Sequence, residues 1–246
     1  MSLKIMIVDD EPANLQLMRS VAAPMNHTVL AFDDNQEAGQ RAEKQRFDVV
    51  FLGMRMPPHL DALELAHRIR SSPSNRETAI VMLSATDDSA VLRSAFGEGA
   101  DFVLPTPLTV ARVRPMLAAM DFPGWKNKRR TARMPLFTEV DCKWGGRQFP
   151  LRSMNISESG MLLQPSLEIE QGQEVSLEFN IAEVRAALNV RARIVRKDGT
   201  ERVAVEFIGL APEGQNAIQL YVMGRLKGPE PARELSLGRR RLGLNL

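Results

Sequence analysis

Cysteine is almost absent from this chain of 246 residues. Cys142 stands alone, so neither an internal disulfide nor a cysteine-based zinc site can form. Histidine is nearly as scarce: His27, His59 and His67 are scattered, which points to loop or helix-surface positions and away from a metal centre. Aromatic residues make up 5% of the chain and no helix-turn-helix pattern is visible, which ranks nucleic-acid binding last among the functions considered. No apolar run approaches the ~20 residues that a membrane helix needs. Met1-Ser2-Leu3-Lys4 opens no apolar segment of signal-peptide length. The expectation from these absences is a soluble, cytoplasmic protein without a membrane span.

What is present suits globular domains. An apolar fraction of 44% with 25% charged residues can fill a core, and the length fits two ordinary domains better than one. The net charge of +2 hides an asymmetry. Residues 1–121 hold 12 Lys and Arg against 16 Asp and Glu, a net of −4; residues 122–246 hold 20 against 14, a net of +6. The half that seeks anions is therefore the C-terminal one.

Residues 1–121 alternate strand and helix signals. Leu3–Val8, Val29–Phe32, Asp48–Leu52, Ile80–Leu83 and Phe102–Leu104 read as short buried strands. Helical spacing follows each, starting after Pro12 and covering Gln36–Lys44, Leu60–Arg70, Ser89–Phe96 and Thr109–Met120, the last interrupted by Pro115. The pattern predicts a doubly wound α/β domain with a five-stranded parallel sheet and a site beyond the carboxyl ends of the strands. Val8-Asp9-Asp10-Glu11-Pro12, Met54-Arg55-Met56-Pro57, Leu83-Ser84-Ala85 and Gly99-Ala100-Asp101 through Thr106-Pro107 resemble the response-regulator receiver family.

That resemblance implies autophosphorylation on an aspartate, with two acids holding Mg²⁺, a hydroxyl and a lysine. Asp9, Asp10 and Ser84 match. The nucleophile position is Gly53, the lysine position is Thr106, and Val103 stands where an aromatic is usual. Glycine cannot form an acyl phosphate, so the expectation is a degenerate receiver with little or no Mg²⁺ binding. Asp48 is no substitute nucleophile, since it lies about five residues, or roughly 16 Å, from Gly53 at the far end of the strand.

Residues 122–135 form a basic linker in which Lys126, Lys128, Arg129, Arg130 and Arg133 put five positive charges within eight residues. Residues 136–226 then show period-two alternation, clearest at Val175, Leu177, Phe179 and Ile181 and again at Leu188, Val190, Ala192 and Ile194. Hairpin signals at Gly145-Gly146 and Asp198-Gly199 separate the strands, and a helix from Pro212 to about Leu226 closes the segment. A small antiparallel six-stranded β-barrel with a C-terminal helix is predicted. Residues 227–246, with Arg239-Arg240-Arg241, read as a mobile basic tail.

Arg129-x-x-x-Arg133 followed by Asn155-x-Ser157-x-x-Gly160 inside this β pattern resembles the PilZ family, which binds the bacterial second messenger cyclic di-GMP. The resemblance implies that Arg129 and Arg133 fork onto phosphates or guanine edges, with Arg130 reaching outward or into solvent. Asn155 would offer its amide oxygen to guanine, Ser157 a hydroxyl, and Gly160 a positive-φ turn that lets the ligand approach. Trp125 is open to two roles, stacking on a base or anchoring against the first half.

The expected protein is a non-enzymatic cyclic di-GMP sensor and adaptor without a cofactor. Its receiver-like half would dock a signalling protein or dimerise, and ligand binding would change the angle between halves. The rivals are a phosphorylation-switched response regulator, which Gly53 and Thr106 oppose, and a protein-only scaffold, which the arginines oppose.

Overall fold

The computed structural model describes residues 2–54, 61–86, 88–121, 124–126, 132–165, 169–181, 187–198 and 201–226. The Arg239–Arg241 tail and His59 fall outside these residues.

The first half is the expected doubly wound sheet. Its elements run β1 (Lys4–Val8), α1 (Pro12–Ala22), β2 (Thr28–Phe32), α2 (Asn35–Lys44), β3 (Val49–Gly53), α3 (Ala62–Ser71), β4 (Ala79–Ser84), α4 (Ser89–Gly97), β5 (Phe102–Pro105) and α5 (Val110–Met120). The strands are parallel in the order β2-β1-β3-β4-β5. Alternate residues supply the two faces. Ile5, Ile7, Val49, Phe51 and Val81 pack toward α1 and α5, while Met6, Val8, Val50, Leu52, Ile80 and Met82 pack toward α2 and α3. Burial on both faces explains the unbroken apolar runs of β3 and β4. Side chains of Asp34, Asp61 and Asp88 accept the free N–H groups that open α2, α3 and α4. The last helix continues through Pro115. Asp48 opens β3 as expected, its carboxylate accepting the Lys4 N–H at 2.8 Å.

The second half is a closed barrel. It comprises β6 (Met134–Pro135), β7 (Glu139–Trp144), β8 (Arg147–Ser157), β9 (Gly160–Gln164), β10 (Glu174–Phe179), β11 (Leu188–Asp198), β12 (Arg202–Ile208) and α6 (Pro212–Arg225). Six strands close in the ring β8-β7-β10-β11-β12-β9, and the two-residue β6 adds to β8. Gly145 and Gly146, at φ +57° and +75°, make the tight β7–β8 turn whose twist matches the strands. Residues 136–138 lie between β6 and β7, in neither strand. There the buried Ser153 hydroxyl donates to the Leu136 carbonyl at 2.7 Å and accepts the Thr138 N–H at 3.0 Å, replacing ladder bonds. Cys142 lies in this core, and burial pushes its thiol up to about 11.

One helix serves both halves. Ala217, Ile218, Tyr221 and Val222 of α6 belong to the barrel core, whereas Met223 and Leu226, with Leu220, pack into the core beside α1 and α5. A helix apolar on most sides is a buried helix, and this one is buried between two domains. Asn216 adds a polar clamp: its Oδ1 accepts the Val103 N–H and its Nδ2 donates to the Val103 carbonyl, both at 2.9 Å. Val103 sits on β5, the edge strand, so the barrel's helix covers an edge that would otherwise present unpaired backbone. Among the described residues no helix is long and apolar enough to cross a membrane.

His67 is exposed and pairs with Glu98 on the surface, as expected, but His27 is not a surface residue. It is buried behind α1, and its Nδ1 accepts the Leu3 N–H at 3.3 Å. The correction has a simple cause: a residue in the connection between α1 and β2 can turn its side chain inward to satisfy a neighbouring amide. Burial pushes the imidazole below its usual 6.5, partly opposed by the Asp121 carboxylate. With the folded value below the unfolded one, the unfolded chain takes up the proton first as pH falls. Stability is then complete above 6.5 and declines as pH drops below it. The melting temperature should fall from about pH 7 to about pH 5, and His27→Asn, which keeps an acceptor for Leu3, should flatten that slope. Differential scanning fluorimetry across pH checks both.

Candidate functional site

The two sequence motifs of the second half meet through β6. Antiparallel pairing sets Met134 against Ile156 and Pro135 against Asn155. One residue upstream of the first pair is Arg133; one residue downstream is Ser157. The barrel thus brings residues more than twenty positions apart onto adjoining backbone. Arg129 and Arg130 lie outside the described residues. Arg133 is exposed and pairs with no described residue, leaving its five guanidinium donors available.

Asn155 is half-buried, and its Oδ1 has no hydrogen-bond partner among the described residues. A buried acceptor without a donor is costly, and a ligand N–H would relieve it. Ser157 is buried, with its hydroxyl donating to the Gly160 carbonyl at 3.2 Å across the two-residue turn to β9. That contact ties the turn to itself. The downstream end of the arginine segment is held by Tyr221, whose hydroxyl donates to the Pro135 carbonyl at 2.6 Å. Sequence reading missed Tyr221. The available signal was a lone tyrosine on the apolar side of a helix, where a buried hydroxyl needs an acceptor.

A sizeable cavity lies elsewhere on the barrel. It measures about 820 Å³ and is lined by Glu139, Asp141, Glu178 and Glu201 together with Arg152. Four carboxylates give it the wrong sign for a phosphate-bearing ligand, so its size carries no weight against the arginine segment.

In the first half, Asp9, Asp10, Gly53 and Thr106 line an open cavity of about 460 Å³ at the carboxyl ends of the strands. Asp9 is buried; Asp10 is exposed. The Asp9 oxygens are both engaged, Oδ1 by the Glu11 N–H at 2.8 Å and Oδ2 by the Asn14 side-chain amide at 3.2 Å. Asn14 Oδ1 in turn accepts the Leu108 N–H at 3.1 Å, tying the loop after β1 to the loop after β5. Burial pushes the Asp9 carboxyl above its usual range, against the lowering effect of these bonds. A Cβ on Gly53 would meet Asp9 Oδ2 at 3.0 Å. Ser84 is closed into its own turn, its hydroxyl donating to the Thr86 carbonyl at 2.9 Å. Asn14 was not foreseen from sequence, because a polar residue on the inner side of a helix has no distinguishing spacing.

Residues 5–118 match the response regulator receiver domain, and residues 127–224 match the PilZ domain. The chain is a receiver domain joined to a PilZ domain. The chain is 26% identical over 117 residues to the signal transduction histidine-protein kinase BarA of Shigella flexneri, covering 48% of this chain and 13% of that protein. It is 29% identical over 116 residues to the cyclic di-GMP phosphodiesterase response regulator RpfG of Xanthomonas campestris, covering 46% of this chain and 30% of that protein. Response regulator MprA of Mycobacterium bovis aligns at 28% over 232 residues, 90% of this chain and 86% of its own. The chain therefore spans only a minor part of the kinase and of the phosphodiesterase. Among solved structures, the receiver domain of a Pseudomonas aeruginosa sensor histidine kinase, with magnesium in its active-site cleft, matches at 24% identity and TM-score 0.44. It covers 48% of this chain and 95% of that domain.

Within the PilZ half, Gly160 is glycine for a different reason from the one expected. Its φ is not positive; it opens β9, and a Cβ there would run into the Val205 carbonyl oxygen of β12. Close packing of three strands, not a left-handed turn, excludes a side chain. Gly160→Ala should cost roughly 1–3 kcal/mol, since backbone cannot yield as a flexible side chain would. Gly224 of α6 has nothing within 4 Å of its would-be Cβ. Gly224→Ala should therefore stabilise by about 0.4–1 kcal/mol. Urea denaturation of the two variants separates these outcomes.

Proposed function

We propose that this protein is a non-enzymatic sensor and adaptor. Its PilZ half binds cyclic di-GMP through Arg129, Arg133, Asn155 and the Ser157–Gly160 turn, with Arg130 in a lesser role. The receiver half serves as a docking module that accepts no phosphoryl group. The observation that carries the reading is the Pro135–Asn155 pairing, which joins the end of the arginine segment to the strand bearing the second motif.

The chemistry fits on both sides. Cyclic di-GMP presents two phosphates and two guanines on a compact ring. A free guanidinium can grip either a phosphate or the O6/N7 edge of guanine with paired hydrogen bonds. The unpartnered Asn155 oxygen matches the N1 and N2 donors of guanine. Similarity to a protein named as a cyclic di-GMP phosphodiesterase response regulator supports a receiver half working within the same signalling system.

On the receiver side, position 53 offers no carboxylate and position 106 no ammonium. The residues present do not fit the magnesium ion that receivers hold. Divalent ions need several hard oxygen ligands, whereas Asp9 has spent both oxygens on Glu11 and Asn14. No group of three or more His, Cys, Asp or Glu among the described residues is arranged to hold a metal. The output is then mechanical. Ligand gripped between the linker and the barrel favours one arrangement of the halves over another, by as much as its affinity for the two differs.

Isothermal titration should give a micromolar or tighter affinity for cyclic di-GMP. Arg133→Ala should weaken it at least tenfold, from about 1.5–3 kcal/mol per charged hydrogen bond. Small-angle scattering at saturating ligand should differ from that of the free protein; identical profiles overturn the adaptor mechanism.

A further inference from the structure

The ligand site extends beyond its two motifs. We propose that Arg196 on β11 is a further contact for cyclic di-GMP, gripping it from the side of the barrel face opposite Arg133. The role rests on the ligand assignment above and goes beyond it, because it adds a residue that neither motif contains and sets the direction in which the ligand lies.

Cross-strand register identifies the face. Pro135 pairs with Asn155, Asn155 with Leu162, Leu162 with Ala204 and Ala204 with Arg196, so one row of residues crosses five neighbouring strands. The rows on either side turn inward and are buried. Ile156, Met161, Val205 and Ile194 form one; Ser153, Leu163 and Val203 form the other. The row between them therefore faces out. Leu162 and Ala204, both half-buried, make a low floor, with half-buried Asn155 on one side and exposed Arg196 on the other.

Strict alternation along β11 would put Arg196 on the inward face with Ile194. The register shifts between these two residues, and the extra residue, Val195, turns Arg196 to the outer face beside Ala204. A second shift, between Ser153 and Asn155 on β8, adjoins the same row at its other side. Irregular pairing of this kind re-aims side chains at a site.

The charge on Arg196 is also uncommitted. Arg191 and Arg193, the preceding outward arginines of β11, both donate to the Glu174 carboxylate, at 2.6 and 3.2 Å. Arg196 makes no ion pair or hydrogen bond with a described residue. The acid on this face, Glu206, stands two residues along β12 from Ala204, opposite Arg193. Trp125, open to stacking on a base, is instead half-buried against the receiver core, its ring stacked on that of Phe102 with centroids 6.2 Å apart. A guanidinium plane can cover a base in its place.

Three strand spacings separate Asn155 from Arg196, roughly 14 Å along the sheet. A ligand of two linked nucleotides can bridge that gap, one half toward Arg133 and Asn155 and the other toward Arg196. There the guanidinium can fork onto the second phosphate or lie against the second guanine.

Titration calorimetry on the full chain with cyclic di-GMP tests the role, using wild type, Arg196→Gln, Arg196→Lys and Lys197→Gln. Arg196→Gln should weaken binding about tenfold, with the melting temperature of the free protein unchanged because the residue is exposed and unpaired. Arg196→Lys keeps the charge but loses the fork, and should weaken binding about threefold. Lys197→Gln removes the same charge one residue on, in register with the inward Val203, and should stay within about twofold of wild type. Unchanged affinity in Arg196→Gln overturns the proposal while leaving the ligand assignment in place. Equal losses in Arg196→Gln and Lys197→Gln also overturn it, since they report the general positive field and not a contact. Absence of binding by wild type removes the ligand assignment itself, and the role of Arg196 with it.

Discussion

Val103 presents its N–H and carbonyl along the outer edge of a parallel sheet, and the side-chain amide of Asn216 takes both. An edge strand needs a partner or a cover, and here the cover comes from the last helix of the other domain. That helix completes the barrel core with one side and reaches the core beside α1 and α5 with another. The two domains consequently share an apolar contact with a hydrogen-bonded register.

The acidic pocket beside Gly53 in the receiver half is satisfied from within. Buried carboxylate needs compensation, and Asp9 finds it in a backbone amide and in Asn14. Asn14 also reaches Leu108, so two loops that would flank a phosphoryl group are joined by a neutral side chain. Gly53 suits this arrangement because any side chain there would crowd Asp9. Asp9 and Asn14 thus satisfy each other and the loops on either side.

The parallel sheet, the six-stranded barrel and the closing helix were all legible in the chain; the strand order β2-β1-β3-β4-β5 came only from the structure. Continuous apolar runs mean strands covered on both faces, as in β3 and β4, and strict alternation means a barrel wall, as in β10 and β11. Both motifs could be placed because their residue types have narrow chemistry. The roles within them were less legible. Ser157 turned inward to its own turn, and Gly160 proved to be set by the Val205 carbonyl rather than by φ. Such reasons depend on what another strand brings close, and a local pattern holds no trace of them. His27 misled in the same way, since burial of a loop residue is decided by its neighbours in space.

By itself, the amino-acid sequence determined the element pattern and the two domains, and it placed glycine at position 53 and an arginine-rich segment before the barrel. These follow from periodicity and from side-chain chemistry, which are properties of neighbours along the chain. Only the tertiary structure decided where Trp125 points, which helix joins the halves, and which acids are already satisfied. Those outcomes depend on pairs such as Phe102 with Trp125, Val103 with Asn216 and Pro135 with Tyr221. Each pair is brought together by packing of the whole, and no spacing along the chain encodes the distance between its members.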